Sequence, residues 1–360
     1  MFWTRRKNPV FQPATKRPDP RGARPLAFGG LLGLSVLALA ACEPQGGNAP
    51  NGANRPSAEV STSASLGPFD AHINAITFAP VATVPWEGRL VIASSTGGLK
   101  VVDIEGEEDS AWEGDTITAL ASQPGFNLRG LSASIILAIK ADGTLKSFLV
   151  DDARGQLIEL PVSGLPTEGI TALCTVKTET DDPAFLIGKA DKTLAVWRIS
   201  DKGEATLSAQ KTMDGKLAIA ISNCAASGDD AVATGSKGGL FSLSLNGDDV
   251  RMLQGVESAP GKVAALTTKD KKIILISDPA AGNLHAYDEN LLALYNLKTP
   301  KALSTPGAAN PGALAVSTHS FGGTGFSAGL IAVADDSTNR IALVVLDTIP
   351  LSGAPAKSGS

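Results

Sequence analysis

IILAIKADGTLKSFLVDD, from Ile135 to Asp152, and AFLIGKADKTLAVWRISD, from Ala184 to Asp201, decide the fold. In each, a run of aliphatic residues enters a short polar turn, Ala141 to Thr144 or Ala190 to Thr193, and leaves it on a leucine. Apolar runs of this length flanking turn residues read as β-hairpins. The unit recurs as LVIASSTGGLKVVDIEG from Leu90, AVATGSKGGLFSLSLNGD from Ala231, IILISDPAAGNLHAYDEN from Ile273 and LIAVADDSTNRIALVVLD from Leu330. The residues that open the second strand are Leu99, Leu145, Leu194, Leu240, Leu284 and Ile341, spaced by 46, 49, 46, 44 and 57 residues.

Each hairpin follows another apolar run: ITFAP from Ile76, ITALAS from Ile117, ITALCTV from Ile170, AIAIS from Ala218, VAALTT from Val263 and ALAVST from Ala313. Most are followed by a weaker alternating run, such as QLIELPV (Gln156 to Val162), ATLSAQKTM (Ala205 to Met213) and LLALYNL (Leu291 to Leu297). Four short strands per repeat, without helical periodicity, predict an all-β, six-bladed β-propeller of four-stranded antiparallel blades. The innermost strand is apolar on both faces because blades flank it; the outermost meets solvent and alternates. The last repeat lacks a fourth strand, so EVSTSA, Glu59 to Ala64, with its alternating Val60, Thr62 and Ala64, is expected to supply it and latch the ring. Trp197 is followed by Arg198, not Asp, and no GH…WD spacing recurs, which argues against WD40 and kelch repeats.

The N-terminus reads as an address. Seven Lys and Arg and one acid occupy residues 1–41, ahead of or beside the apolar LAFGGLLGLSVLALAA, Leu26 to Ala41. That run is too short to span a bilayer and has the form of a secretory signal. Thr4-Arg5-Arg6-Lys7 lies too far upstream of it to read as more than n-region charge. Leu39-Ala40-Ala41-Cys42 resembles the bacterial lipobox. The resemblance implies cleavage before Cys42, lipid attachment at its thiol, and anchoring in the cell envelope facing the periplasm. Glu43, where an Asp would signal inner-membrane retention, leans the address toward the outer membrane. The expected organisation is a signal peptide over 1–41, a Gly/Asn/Pro-rich flexible tether over 42–57, a propeller over 58–350 and a disordered tail over 351–360. Beyond residue 41 the formal charge is -11, which disfavours nucleic acid as a partner.

RLVIASSTGGLKVVDIEG from Arg89 resembles a hairpin of bacterial β-propeller phytases, and GLIAVADDSTN from Gly329 resembles that family's closing blade. The resemblance covers roughly residues 67–349 and implies a six-bladed ring. It also implies calcium ions held by carboxylates in a central acidic cleft, where they bind phosphates and activate water for release of phosphate from inositol hexakisphosphate. The family's Asp-Asp-Pro-Ala-Ile-Trp run opens the first innermost strand; here that place holds His72-Ile73-Asn74-Ala75-Ile76-Thr77. Asp181-Asp182-Pro183-Ala184 has the letters DDPA but precedes a second strand, in blade 3, and reads as a solvated turn, as do Asp151-Asp152, Asp229-Asp230, Asp248-Asp249 and Asp335-Asp336.

No catalytic residue or metal ligand is assigned. His72, His285 and His319 fall in different blades without zinc spacing, and Phe321-Gly-Gly-Thr-Gly-Phe326 reads as a loop rather than a phosphate cradle. Cys174 and Cys224 end adjacent innermost strands. A disulfide between them stays open, but the expected separation of those strands favours two buried thiols. Trp86, Trp112 and Trp197 read as packing residues. The sequence therefore implies a binding or scaffolding propeller without a cofactor, for an envelope protein or small phosphorylated ligand. The alternative is a calcium-dependent phosphohydrolase.

Overall fold

A computed structural model describes residues 55–350, except 178–181, 204–205, 247–248, 259–260, 268–271 and 324. The signal peptide, Cys42, nearly all of the tether and the tail 351–360 lie outside the described residues.

Two short strands, β1 (Ser57–Glu59) and β2 (Ala64–Leu66), precede the blades. Blade 1 comprises β3 (Ile73–Ala79), β4 (Arg89–Ser94), β5 (Leu99–Asp103) and β6 (Glu108–Trp112). Blade 2 comprises β7 (Ile117–Leu128), β8 (Leu131–Lys140), β9 (Leu145–Asp151) and β10 (Leu157–Glu159). After β11 (Val162–Ser163), blade 3 follows as β12 (Ile170–Thr175), β13 (Ala184–Lys189), β14 (Thr193–Ser200) and β15 (Leu207–Lys216). Blade 4 is β16 (Ile221–Ser227), β17 (Asp230–Gly235), β18 (Leu240–Ser244) and β19 (Arg251–Val256). Blade 5 is β20 (Val263–Thr267), β21 (Lys272–Asp278), β22 (Asn283–Tyr287) and β23 (Ala293–Lys298). Blade 6 has β24 (Pro311–Ser317), β25 (Leu330–Asp335) and β26 (Arg340–Val345). Each innermost strand packs beside the next, and β24 returns to β3, so the sheets form a closed six-bladed β-propeller.

The repeat is set by backbone geometry at one position. Two residues before each second-hairpin opening lie Gly97, Gly143, Lys192, Gly238, Gly282 and Asn339, all at positive φ. Glycine and asparagine tolerate that region with little cost. Lys192 is the exception, and its turn is held by Asp191, which accepts hydrogen bonds from the Thr193 N–H and hydroxyl.

Burial follows the blade faces. Among the described residues, six apolar clusters form, one in each gap between neighbouring blades. In the gap between blades 1 and 2, Val91 and Val101 meet Ile136 and Phe148; between blades 5 and 6, Leu275 meets Val333. The central strands β4, β8, β13, β21 and β25 are nearly continuous apolar runs because both of their faces are covered.

The ring is latched from the N-terminus, as expected, but by a later segment than Glu59 to Ala64. β2 pairs antiparallel with β26, Ala64 opposite Leu343 and Leu66 opposite Ile341, and completes blade 6. The alternation at Val60 and Thr62 instead marks burial of a crossing between blades: the Val60 N–H donates to Lys298 O in blade 5, and the Ser63 N–H donates to Leu343 O in blade 6. Further upstream, β1 runs parallel to β23 as a fifth strand of blade 5, and the Arg55 guanidinium donates to the Tyr287 hydroxyl. The last residues of the expected tether are thus docked on the ring. QLIELPV likewise divides: β10 completes blade 2, and β11 then adds in parallel to blade 3.

Leu66 is 2% exposed and fills the gap between blades 6 and 1. Leu66→Ala is expected to cost about 2–4 kcal/mol by cavity formation at the closure, measured as a lowered urea midpoint.

Candidate functional site

The innermost strands run in the same direction around the axis and enclose a central channel of about 180 Å3. Its walls are mostly small residues, such as Ala75, Ala119, Ala264 and Ala313, with Thr77, Thr175 and Asn223 among the polar ones. At the end where the strands stop, the channel widens into a cavity of about 470 Å3 lined by Thr77, Ser122, Gln123, Thr175, Lys177, Thr267, Thr318 and His319, among others. No aspartate or glutamate lines this exit mouth among the described residues. Protein surrounding the His319 ring in this concave mouth depletes its hydration and lowers its pKa, although the residue keeps exposed surface.

At the other end, four innermost strands share a local irregularity. The register slips between Ile73 and Ala75, Ile117 and Ala119, Ile170 and Ala172, and Ile221 and Asn223. The extra residues are Asn74, Thr118, Thr171 and Ser222, and each side chain donates to a carbonyl of the second strand in its own blade: Ser94, Ile139, Gly188 and Thr234 respectively. A short polar side chain satisfies the carbonyl at the disrupted ladder. This explains the recurring letters Ile-Thr-Ala and Ile-Asn-Ala at the strand starts, which periodicity alone had left as apolar runs.

Many of the aspartates hold turns. Asp103 accepts from the N–H groups of Glu105 and Glu107, Asp151 from Ala153, Asp278 from Ala281 and Asp288 from Asn290 and Leu292. Asp142 accepts from the N–H and hydroxyl of Thr144 and the ammonium of Lys140, which hold its pKa at about 2. Asp201, also at about 2, accepts two bonds from Arg129 across the blade 2 and 3 boundary. The expectation that Asp151-Asp152 and Asp335-Asp336 form solvated turns needs correction. Asp151, Asp152 and Asp335 are buried, Asp335 holding the Ser337 and Ala309 N–H groups and Asp152 the Ser132 hydroxyl. They are turn-forming, as read, but face inward because neighbouring blades pack over the hairpins.

His72 to Thr77 begins the first innermost strand, where the phytase hallmark would lie, and brings no carboxylate there. Asp182-Pro183 precedes β13; Asp181 and Asp248 lie outside the described residues. Among the described residues, no group of three or more His, Cys, Asp or Glu side chains is arranged to hold a metal ion. The carboxylates implied by the phytase resemblance therefore do not fit a calcium cluster in the described channel. His72 stands at one mouth, His319 at the other and His285 within blade 5, where its ring bonds Asp278 and Asn296.

Phe321 of the glycine-rich loop is buried against Phe78, with ring centroids 5.1 Å apart, so this loop packs blade 6 onto blade 1. Trp112 packs edge-on to Phe148. Trp86 departs from the packing expectation: it is 67% exposed on the β3–β4 loop, at the exit end.

Cys174 and Cys224 are joined in a disulfide, with Cα atoms 5.5 Å apart. The reading that favoured two thiols overestimated the separation. Near the axis, β12 and β16 converge to within the span a disulfide requires.

No protein-family model and no curated protein matches the sequence. Solved structures of BBS1N in complex with ARL6DN are similar in shape: crystals soaked with lead give a TM-score of 0.49 at 14% identity, covering 82% of this chain and 100% of that one. Crystals soaked with mercury give 0.47 at 11% identity, covering 80% and 96%. The propeller assignment rests on the strand pairing itself.

The disulfide closes a loop of about 50 residues. Cys174→Ser with Cys224→Ser is expected to cost about 4 kcal/mol by the chain-entropy estimate, and reductant should lower the urea midpoint of the parent but leave that of the double variant unchanged. A second expectation concerns acid. Asp142 has a folded pKa below its ordinary value, so its contribution is present above about pH 4 and fades as the pH falls toward 2. Asp142→Asn should accordingly show a lower Tm than the parent at pH 6, and the gap should close near pH 2.

Proposed function

We propose that the mature chain is an extracytoplasmic lipoprotein, acylated at Cys42 and held at the envelope, facing the periplasm, with its propeller acting as a non-catalytic binding or scaffolding module. The observation that supports the non-catalytic reading is that many aspartates hold hairpin turns and none lines the exit mouth among the described residues. A calcium-bridged phosphatase needs carboxylates free to converge on one cleft. These are distributed around the ring, and several are already engaged by backbone N–H groups.

A broad mouth offers what a binding module uses: hydroxyl and amide groups from several blades, Lys177 at the wall and exposed Trp86 on the same end. Aromatic side chains set among polar groups are favoured anchors for protein partners. The proposed occupant is an envelope protein or a small phosphorylated ligand. Lipid attachment through two or more acyl chains would hold the protein at a membrane surface stably.

Two experiments test this. Purified mature protein is expected to release no phosphate from inositol hexakisphosphate with or without millimolar calcium; calcium-dependent turnover would establish the phosphohydrolase instead. In cells, the parent should incorporate labelled fatty acid and sediment with outer membranes. Cys42→Ala should lose the label and leave the membrane fraction, and an unlabelled parent would refute the anchor.

A further inference from the structure

Among the described residues, two side chains at one level of the channel, Asn223 and Lys262, depart from the small residues of the other blades, and only Lys262 is charged. The residue facing the second-strand partner of each hairpin-opening residue is Ala75 opposite Ala93, Ala119 opposite Ile139, Ala172 opposite Gly188 and Asn223 opposite Thr234. In blade 6 the stretch Gly312-Ala313 lies opposite Ala334. In blade 5 the equivalent residue is Lys262, whose carbonyl accepts from the Ser277 N–H and whose own N–H donates to the Ser277 hydroxyl. Alanine and glycine in four blades leave the axis open, and the long Lys262 side chain reaches across it.

The Lys262 ammonium donates to the Thr118 carbonyl at 3.1 Å. Thr118 belongs to blade 2, which faces blade 5 across the ring, so the lysine spans the channel at the end where the innermost strands begin. An ammonium has three N–H donors, and this one has a single hydrogen-bond partner and no carboxylate within ion-pair distance among the described residues. The nearest acid that influences it, Asp336, makes its closest charged contact with His72, at 3.9 Å. His72 and Asp336 are titratable groups beside Lys262. Burial lowers the Lys262 pKa and the Asp336 carboxylate partly offsets that shift, although the residue keeps exposed surface. With two N–H groups unused by protein partners among the described residues, this ammonium can receive an anion at the channel end.

We propose that this end of the central channel binds a small monocarboxylate, with Lys262 as its charge partner. One cation, already partly offset by Asp336, suits at most a single negative charge, whereas phosphate near pH 7 brings nearly two. The two remaining N–H groups suit the two oxygens of a carboxylate. Ala75, Ala119, Ala264 and Ala313 supply an apolar wall for a short carbon chain, and the channel volume of about 180 Å3 admits only a small molecule. This site lies at the opposite end from the mouth invoked above and does not depend on that reading.

The test titrates the mature protein with 13C-labelled acetate at constant ionic strength, following amide shifts of Thr118, Asn223 and Val263, with inorganic phosphate and chloride in parallel. Saturable acetate binding is expected, weakened roughly tenfold or more in Lys262→Met and unchanged in Lys301→Met, an exposed lysine on the loop between β23 and β24. Ala119→Leu keeps the charge but narrows the channel, and should also abolish binding while the amide spectrum stays dispersed. Equal binding by Lys262→Met, preference for phosphate or chloride over acetate, or no saturable shift in the folded parent would each overturn the proposal.

Discussion

The structure depends on strands that must be covered on both faces. A single four-stranded blade buries little by itself, and its central strands, such as Leu131–Lys140 and Leu330–Asp335, would leave a continuous apolar surface in water. Only a neighbour on each side resolves this, and a row of blades always has two uncovered ends. Ring closure removes the ends. Blade 6 must therefore meet blade 1, and the chain accomplishes this with Ala64–Leu66, a strand from the beginning of the fold paired to Arg340–Val345 at its end. Loop-closure entropy is spent once for this pairing, and the six inter-blade clusters become continuous around the axis. The disulfide between Cys174 and Cys224 fastens neighbouring innermost strands on the other side of the ring.

That same constraint shapes what the molecule can do chemically. Hairpin turns at the strand ends must place a residue at positive φ and satisfy nearby N–H groups, and aspartate performs the second task well. Asp103, Asp142, Asp191 and Asp335 are all used this way. A carboxylate whose oxygens accept two or three local hydrogen bonds is preorganised for its turn and is a poor candidate for moving toward a shared metal. An acidic composition in this chain thus reflects many separate turns.

The repeat was legible because turn chemistry and apolar runs are local. Leu99, Leu145 and Leu240 begin their strands and Leu194, Leu284 and Ile341 fall one residue inside theirs, and the positive-φ position two residues before these openings is glycine or asparagine in five blades of six. The latch was legible in kind but not in place. Alternation at Val60 and Thr62 correctly signals burial, yet burial does not say which strand is the partner, and the pairing begins only at Ala64. Buried Asp151 and Asp335 were misread for a related reason: a turn sequence states its geometry, while its exposure depends on the next blade. The cysteines were located at the ends of adjacent strands, but their separation is a property of how tightly the ring converges. Trp86 reads like any other tryptophan until its loop is placed beyond the packed layer.

Lys262 was the least legible of all, since a lysine between glycine and valine reads as an ordinary solvated strand start. Its meaning comes from two facts that no local window contains: the register that puts it level with Ala75, Ala119 and Ala172 of other blades, and the six-fold closure that puts blade 2 opposite blade 5. In a closed ring, any residue on an innermost strand has neighbours far away in sequence on the other side of the axis. A substitution that looks neutral along the chain can then place a charge where water is scarce. Functional chemistry in such a fold is therefore expected at positions where one blade departs from the other five, and the innermost register is where that departure has the largest electrostatic consequence.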